Sequence, residues 1–444
     1  MELRKEIPCT CGRQHKINIS DIISEPGAIN KLPSALKKLG CKHPFVLSDD
    51  NTFRAAGERV EKILSKAKVF GTYAFLGDST APDEKAVGRV AMNFVNSNCD
   101  VSHDSVIAVG SGVIGDICKI IASAANVPLI TVATAPSMDG YASATSSMER
   151  NGLKVSIRSK CADIIIGDHD ILAAAPLELR LSGLGDMIAK YISIAEWRIS
   201  NVINREYYCD TVANMIKNAL DECVSHADGL IKGDPAAAGA VFDGLVLAGA
   251  GMTYAGCSRP ASGVEHYFSH VWDMRALEYG TPCSTHGFQC QVGAILAARI
   301  YERLRTYTPD RQKAIEEFEK FSYEDHKKGL QRLVGKASRE MIMLEEEFEH
   351  KYDCDKFIAR IDRIIEKWDE ILEIIKSIPT ERELISLLDS IGSPSSLSHI
   401  GIDDGNIGDV FEATRDIRDK YVLSRLIFDL GLTNEAKKIL TEKE

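Results

Sequence analysis

At 444 residues, with 45% hydrophobic and 26% charged side chains, the chain has the length for two domains and the composition of an ordinary globular protein. Its 53 basic against 64 acidic residues leave a net charge of −11, which argues against nucleic acid or an anionic membrane as the main partner. Any anionic small substrate must then be met by local cations or helix ends. The start, Met-Glu-Leu-Arg-Lys-Glu-Ile, has no apolar core of signal-peptide length, and no run approaches a membrane span, so no membrane insertion is expected. Twelve cysteines without a repeating frame, in a chain too large to need stapling, read as reduced thiols in a cytoplasmic protein.

Cys9-Thr10-Cys11 followed by His15 offers only three metal-type donors in a short terminal segment, and it reads as an ordered strand or turn. From residue 45 short apolar runs alternate with helical stretches. Pro44 to Asp49 reads as a strand ending in an acid, Thr72 to Gly77 as a second strand, and Pro82 to Asn96 has helical periodicity with Pro near its first turn. Ser105 to Gly110 is a third strand, broken at Gly110-Ser111-Gly112 and followed by a helix through Ala125; Pro128 to Thr134 is a fourth. Such alternation predicts a parallel sheet covered on both faces. After about Ala175 the strand signals stop. The expected architecture is therefore an α/β nucleotide-binding domain over 1–174 and an all-α metal- and substrate-binding domain over 175–444. Charge runs such as Glu345-Glu346-Glu347 read as solvated helix faces, and Ser393 to Ser396 and Asp403 to Asn406 as loops.

The glycine turn Gly110-Ser111-Gly112-Val113-Ile114-Gly115-Asp116 opens a helix directly after a buried strand. Glycines there let backbone amides approach a pyrophosphate, and the helix start adds partial positive charge. Asp49 ends the first strand, where a carboxylate can accept from an adenosine ribose and repel a 2′-phosphate, so NAD(H) is favoured over NADP(H). The turn follows the third strand of this reading, which excludes a standard Rossmann fingerprint. Farther on, Gly183-Leu184-Gly185-Asp186, Ser258 to His270 and Thr285-His286-Gly287 put one carboxylate and two or three imidazoles into otherwise apolar helices. His266 and His270 share a helix face, whereas Glu265 should point away from His266. Buried groups of this kind are costly unless paired or metal-bound. His103, His169 and His226 fall in turn or surface contexts and receive no role.

The succession Val-Gly-Ser-Gly (109–112), Thr-Ala-Pro-Ser-Met-Asp-Gly-Tyr-Ala-Ser (134–143), Gly-Leu-Gly-Asp-Met-Ile-Ala-Lys (183–190), the 258–270 segment and Thr-His-Gly (285–287) resembles the sn-glycerol-1-phosphate dehydrogenases, and more narrowly their bacterial branch. The wider group takes in iron-dependent alcohol dehydrogenases, glycerol dehydrogenase and dehydroquinate synthase, whose architecture the chain is then expected to share. The likeness runs from about residue 10 to about 310; nothing in the tail beyond it is recognised. It implies a metal, Zn²⁺ or Ni²⁺, held by Asp186, His266 and His286. It also implies a pyrophosphate cradle at Gly110, Ser111 and Gly112, continued by Asp116, with Thr134 and Ser137 near the nicotinamide. Asp139 would meet the substrate hydroxyls. Asp139 and His270 are the candidates for proton relay, and Lys190 and Arg259 for the substrate phosphate.

The activity implied is metal-assisted hydride transfer between NADH and dihydroxyacetone phosphate, a small phosphorylated three-carbon substrate, in a homo-oligomer. Three other readings stay open. A glycerol or simple alcohol dehydrogenase needs no phosphate-binding cation. A dehydroquinate synthase-like lyase typically calls for Glu where this chain has Asp186. A binding protein that keeps the fold would be expected to lose the triad or the glycine turn.

Overall fold

The computed structural model describes residues 6–77, 81–97, 102–150 and 153–442. Its central element is a six-stranded, wholly parallel sheet built from β1 (Asp21–Glu25), β2 (Pro44–Asp49), β3 (Thr72–Leu76), β4 (Ser105–Gly110), β5 (Leu129–Ala133) and β6 (Ile164–Asp168), in the order β1-β6-β5-β4-β2-β3. The runs of Val and Ile in β2, β4, β5 and β6 are buried, as a sheet covered on both faces requires. Val46, Ile107, Val109, Ile130, Val132, Ile164 and Ile166 alternate onto one face and pack with Ile29 from the short turn Ala28–Lys31 and with Leu32, Leu36, Val60 and Leu64 from the helices Leu32–Leu39 and Glu58–Lys66. Each such side chain contributes about 1.5–3 kcal/mol by leaving water.

Two of these strands escape the sequence pattern. β1 is an edge strand whose residues are mostly half-buried, and β6 ends in Gly-Asp, so neither shows a long apolar run. Counting β1, the glycine turn follows the fourth strand. The crossings place it well: from β2 the chain runs outward to β3, then returns to the other side of β2 as β4. The order therefore reverses between β2 and β4, and at such a switch point a crevice opens at the carboxyl ends of the strands. β2 and β4 pair in register through Leu47 and Ala108, and just beyond that pair they end at Asp49 and Gly110.

Helix α1 (Gly112–Ala125) follows the turn and is closed by Asn126 in the left-handed region at φ 53. An antiparallel hairpin, Thr145–Arg150 with Leu153–Arg158, leads from β5 towards β6. The compact units divide the chain differently from a cut at residue 174. The first holds the residues up to Met187 together with Thr211–Cys257; the second holds Ile188–Asp210 and Ser258–Glu444. Two helices explain the first: α2 (Leu177–Ile188) and α4 (Pro235–Ala255). Helix α4 is apolar on nearly every face and packs on Asp139–Ala142 and on His169–Ala174. Its length and mean hydropathy of 1.4 suit a membrane span, which corrects the expectation that no run approaches one; 67% of that apolar window is buried inside the protein. In the second unit the described residues form helices only, beginning with α3 (Lys190–Asn204), α5 (Val264–Tyr279) and α6 (His286–Leu304) and running to Thr433–Thr441.

Close approach demands glycine at one point of α2. A Cβ on Gly183 would lie 1.7 Å from the Pro136 carbonyl oxygen, backbone that cannot yield. Gly183→Ala is expected to lower stability by about 1–3 kcal/mol or more in urea denaturation. Gly88→Ala, on a helix with open space around it, should be neutral or stabilising by up to ~1 kcal/mol. Equal stability of Gly183→Ala and the parent protein would refute the contact.

Candidate active site

In the first unit the groups singled out by the sequence converge on the carboxyl edge of the sheet. Gly110 ends β4 and Ser111 is the N-cap of α1. A Cβ on Gly110 would meet the Ile114 side chain at 2.6 Å, whereas one on Gly112 would come no nearer than 3.7 Å to Met138. Thr134 N–H donates to the Gly110 carbonyl at 3.4 Å, and the hydroxyls of Ser111 and Ser137 lie 2.5 Å apart. Thr134 and Ser137 thus border the glycine turn, with its helix start and amides as anion-binding elements. Asp139 and Asp186 also meet: the Asp139 N–H donates to Asp186 Oδ2 at 2.9 Å. Gly183, one turn before Asp186, and Gly249, whose Cβ would stand 2.5 Å from the Asp139 carbonyl, allow this approach.

Two cofactor candidates carry other duties. Asp116 accepts from Lys119 Nζ at 3.1 Å and from the Ser147 N–H at 3.0 Å, so it ties α1 to the hairpin and does not extend the cradle. Burial raises its carboxyl above the usual range despite the nearby ammonium. Asp49 accepts the Thr52 N–H through Oδ1 at 2.7 Å and closes a capping box with that residue, leaving only part of its carboxylate for a ribose.

In the second unit His266, in the first turn of α5, and His286, the first residue of α6, meet edge-on with ring centroids 5.1 Å apart. The helices are held close because Gly293 lies against the Glu265 backbone, where a Cβ would come within 2.7 Å of its carbonyl oxygen. Both rings are oriented by neighbours. Glu265 Oε1 stands 2.8 Å from His266 Nδ1 and accepts the Gly263 N–H at 2.6 Å. This corrects the expectation that Glu265 points away: in the first helical turn the side chain folds back to an unpaired backbone donor and meets His266 on the way. Ser269 donates its hydroxyl proton to Gln289 Oε1 at 2.6 Å, so at 3.2 Å it accepts from His286 Nδ1. In both rings Nδ1 then carries the proton and Nε2 offers a lone pair, the arrangement that an acceptor behind the ring imposes on metal-binding imidazoles.

Sequence reading missed Glu196 and Cys290. The buried Cys290 sits one turn after His286, with Sγ 3.6 Å from its Nε2; the i, i+4 spacing was the available signal. Glu196, on α3, accepts the Val264 and Leu423 N–H groups at 2.9 and 2.8 Å, a long-range relation no local pattern reports. With Glu265 it crowds Gly263, where a Cβ would come within 2.6 Å of Glu196 Oε2 and 2.7 Å of Glu265 Oε2. Burial first, and the Glu265 charge second, raise the Glu196 carboxyl well above the usual range.

Of the two cations expected at a phosphate, Arg259 is committed elsewhere. It is buried, grips Glu206 with Nε and Nη2 at 2.7 and 2.5 Å, and donates to the Tyr421 carbonyl at 2.8 Å and Ser200 Oγ at 3.2 Å. A fork so used braces the loop before α5 and has no free face for phosphate. Lys190, buried at the start of α3, donates to the Ala261 carbonyl at 3.0 Å. His270 is half-buried one turn after His266, its ring 6.2 Å from that of Tyr267.

Comparison with known proteins agrees with this layout. Residues 23–176 match the family model described as iron-containing alcohol dehydrogenase. The chain is 31% identical over 300 residues to glycerol-1-phosphate dehydrogenase (NAD(P)+) of Geobacillus thermodenitrificans, covering 67% of this chain and 73% of that protein. With the protein of the same name from Halalkalibacterium halodurans it shares 26% identity over 420 residues, 94% of each, so the likeness continues through the helical region past residue 310. Among solved structures, a probable glycerol dehydrogenase from Sinorhizobium meliloti aligns with TM-score 0.60 at 18% identity, over 95% of this chain and 97% of that one. NADH-dependent butanol dehydrogenase A of Thermotoga maritima aligns with TM-score 0.56 at 14% identity, over 96% and 98%. These two carry the fold.

The Glu196 carboxyl gives a pH test. Its proton affinity is raised in the fold above its ordinary value of 4.5, so the native state binds more protons and stability falls as pH rises from about 4.5 into the neutral range. Urea denaturation of Glu196→Gln across that window should show a shallower fall than the parent protein; parallel curves would contradict the raised affinity.

Proposed function

The chain belongs to the glycerol-1-phosphate dehydrogenase family, and from that membership we propose that it interconverts dihydroxyacetone phosphate and sn-glycerol 1-phosphate with a nicotinamide dinucleotide and one divalent metal ion. The observation that carries the reading is the His266–His286 pair, each imidazole presenting Nε2 because Nδ1 is engaged by Glu265 or Ser269. Asp186, His266 and His286 are the proposed metal ligands. One carboxylate oxygen and two imidazole nitrogens suit Zn²⁺ or Ni²⁺ and leave a position for substrate. When bound, the ion polarises the substrate C–O bond and the nicotinamide carries the hydride.

The chain's own residues bind and orient. The Gly110-Ser111-Gly112 turn offers amides and a helix start to the pyrophosphate, while Thr134 and Ser137 line the path towards the nicotinamide. Asp49, at the end of β2, favours NAD(H) by its charge. The Asp139 amide holds Asp186 in place, and its carboxyl is proposed to meet the substrate hydroxyls. Asp139 and His270 are the proposed groups for moving a proton to the substrate oxygen during reduction. Lys190 remains the proposed phosphate donor. The described cysteines form no disulfide, consistent with a cytoplasmic setting; Cys99 lies outside the described residues.

The decisive experiment compares oxidation of NADH by metal-loaded protein with dihydroxyacetone phosphate and with dihydroxyacetone. Strong preference for the phosphorylated ketone, sn-glycerol 1-phosphate as product and loss of turnover after chelation are expected. Preference for the free ketone would move the chain to the glycerol dehydrogenases, and full turnover after metal removal would sink the metal role. Lys190→Gln should raise KM for dihydroxyacetone phosphate by roughly 10- to 100-fold, with KM for NADH unchanged. An unaltered substrate KM would take Lys190 out of the phosphate site.

A further inference from the structure

Near the C-terminal end of α4, two short strands, Glu6–Ile7 and His15–Lys16, pair antiparallel and close a loop that carries Cys9 and Cys11. Gly12 turns that loop through the left-handed region at φ 85. A donor atom from each of Cys9, Cys11 and His15 lies within 4.8 Å of the others. Cys11 Sγ stands 3.2 Å from His15 Nε2, and the Cys11 N–H points at Cys9 Sγ over 3.4 Å. His15 is wholly buried, and its Nδ1 lies 2.9 Å from the Tyr254 carbonyl oxygen on α4. A carbonyl can only accept, so Nδ1 carries the proton and Nε2 turns its lone pair to the two sulfurs. Arg13 ties the same loop to the Ala255 carbonyl at 3.2 Å.

These observations answer the requirements of a soft-metal site. Two sulfurs and one imidazole nitrogen converge. The imidazole is oriented by a backbone carbonyl behind it, and an amide already points at one sulfur. We propose that Cys9, Cys11 and His15 bind a structural Zn²⁺ ion, distinct from the ion of the active site, that clamps the N-terminal hairpin to α4. The thiols release their two protons to solvent as the thiolates bind, and His15 binds through Nε2 without losing one. The remaining coordination position is taken by water or a further protein donor. Thiolate ligands select zinc over magnesium or calcium, and the clamp adds metal-binding energy to the folding of the hairpin.

The test uses the full chain and reads thiols and metal, not turnover. Protein purified from zinc-replete cells should carry two equivalents of metal by plasma mass spectrometry, falling to one in Cys11→Ser and to one in His266→Ala. With cobalt in place of zinc, His266→Ala should keep a thiolate-to-metal charge-transfer band that Cys11→Ser in the same background removes. On the unsubstituted chain, zinc should slow alkylation of Cys9 and Cys11 about tenfold or more, and a chelator should restore it, with the sites mapped by peptide mass. That last readout stands even where a variant fails to fold. Equal alkylation with and without zinc, or metal content unmoved by Cys11→Ser, overturns the proposal.

Discussion

Glu265 is fully buried, accepts the Gly263 N–H through Oε1 and places the same oxygen 2.8 Å from His266 Nδ1. Taking a carboxylate out of water costs several kcal/mol unless its oxygens are met by donors, so this pair is either well made or strongly destabilising. Its consequences spread outward. The imidazole tautomer is settled, α6 must carry Gly293 to come close enough, and Glu196, also beside Gly263, has its carboxyl raised above the usual range by burial first and by Glu265 second. Arg259 belongs to the same economy of buried charge: it is spent on Glu206 to hold the loop that delivers α5. The chemistry of the second unit is a question of how few uncompensated charges a helical core can carry.

In the first unit the corresponding constraint is topological. A parallel sheet whose order reverses between β2 and β4 leaves their carboxyl ends uncovered by a crossover. The glycine turn stands at that point, and the loop after β5 brings Thr134 and Ser137 to it and then carries Asp139 to Asp186. Crowding does the rest. Pro136 against Gly183 and the Asp139 carbonyl against Gly249 bring two helices and a loop to backbone contact, which fixes Asp186 by an amide hydrogen bond. Small residues there are conditions of the geometry, since a single methyl would displace main chain.

Buried residues with no part in the proposed chemistry show the same economy elsewhere. His326 is ringed by Asp416, Glu412 and Tyr352, with Arg415 and Lys351 adjoining; against the effect of burial, the two carboxyls are held far below their usual range first by hydrogen bonding to His326 and then by nearby cations such as Arg415. That network knits Tyr323–Val334 to the last helices of the chain and accounts for charged residues in a segment whose pattern resembles a solvated surface.

The sequence by itself determined the α/β-then-helical order, the glycine turn and the chemical character of Asp186, His266 and His286. Strand periodicity, glycine at a strand-to-helix break and costly side chains in apolar helices are all local signals. It also marked Cys9, Cys11 and His15 as donors, but gave no means of knowing that a carbonyl from Tyr254, far along the chain, orients the imidazole. Only tertiary structure decided the edge strand β1, whose half-buried residues lack a clear pattern, and the discontinuous compact units, which follow from where helices find apolar partners. Tertiary structure alone assigned Arg259 to Glu206, turned Glu265 to His266 and set Glu196 beside Gly263. A charged side chain's role is decided by which partner shares its burial, and that partner stands many residues away.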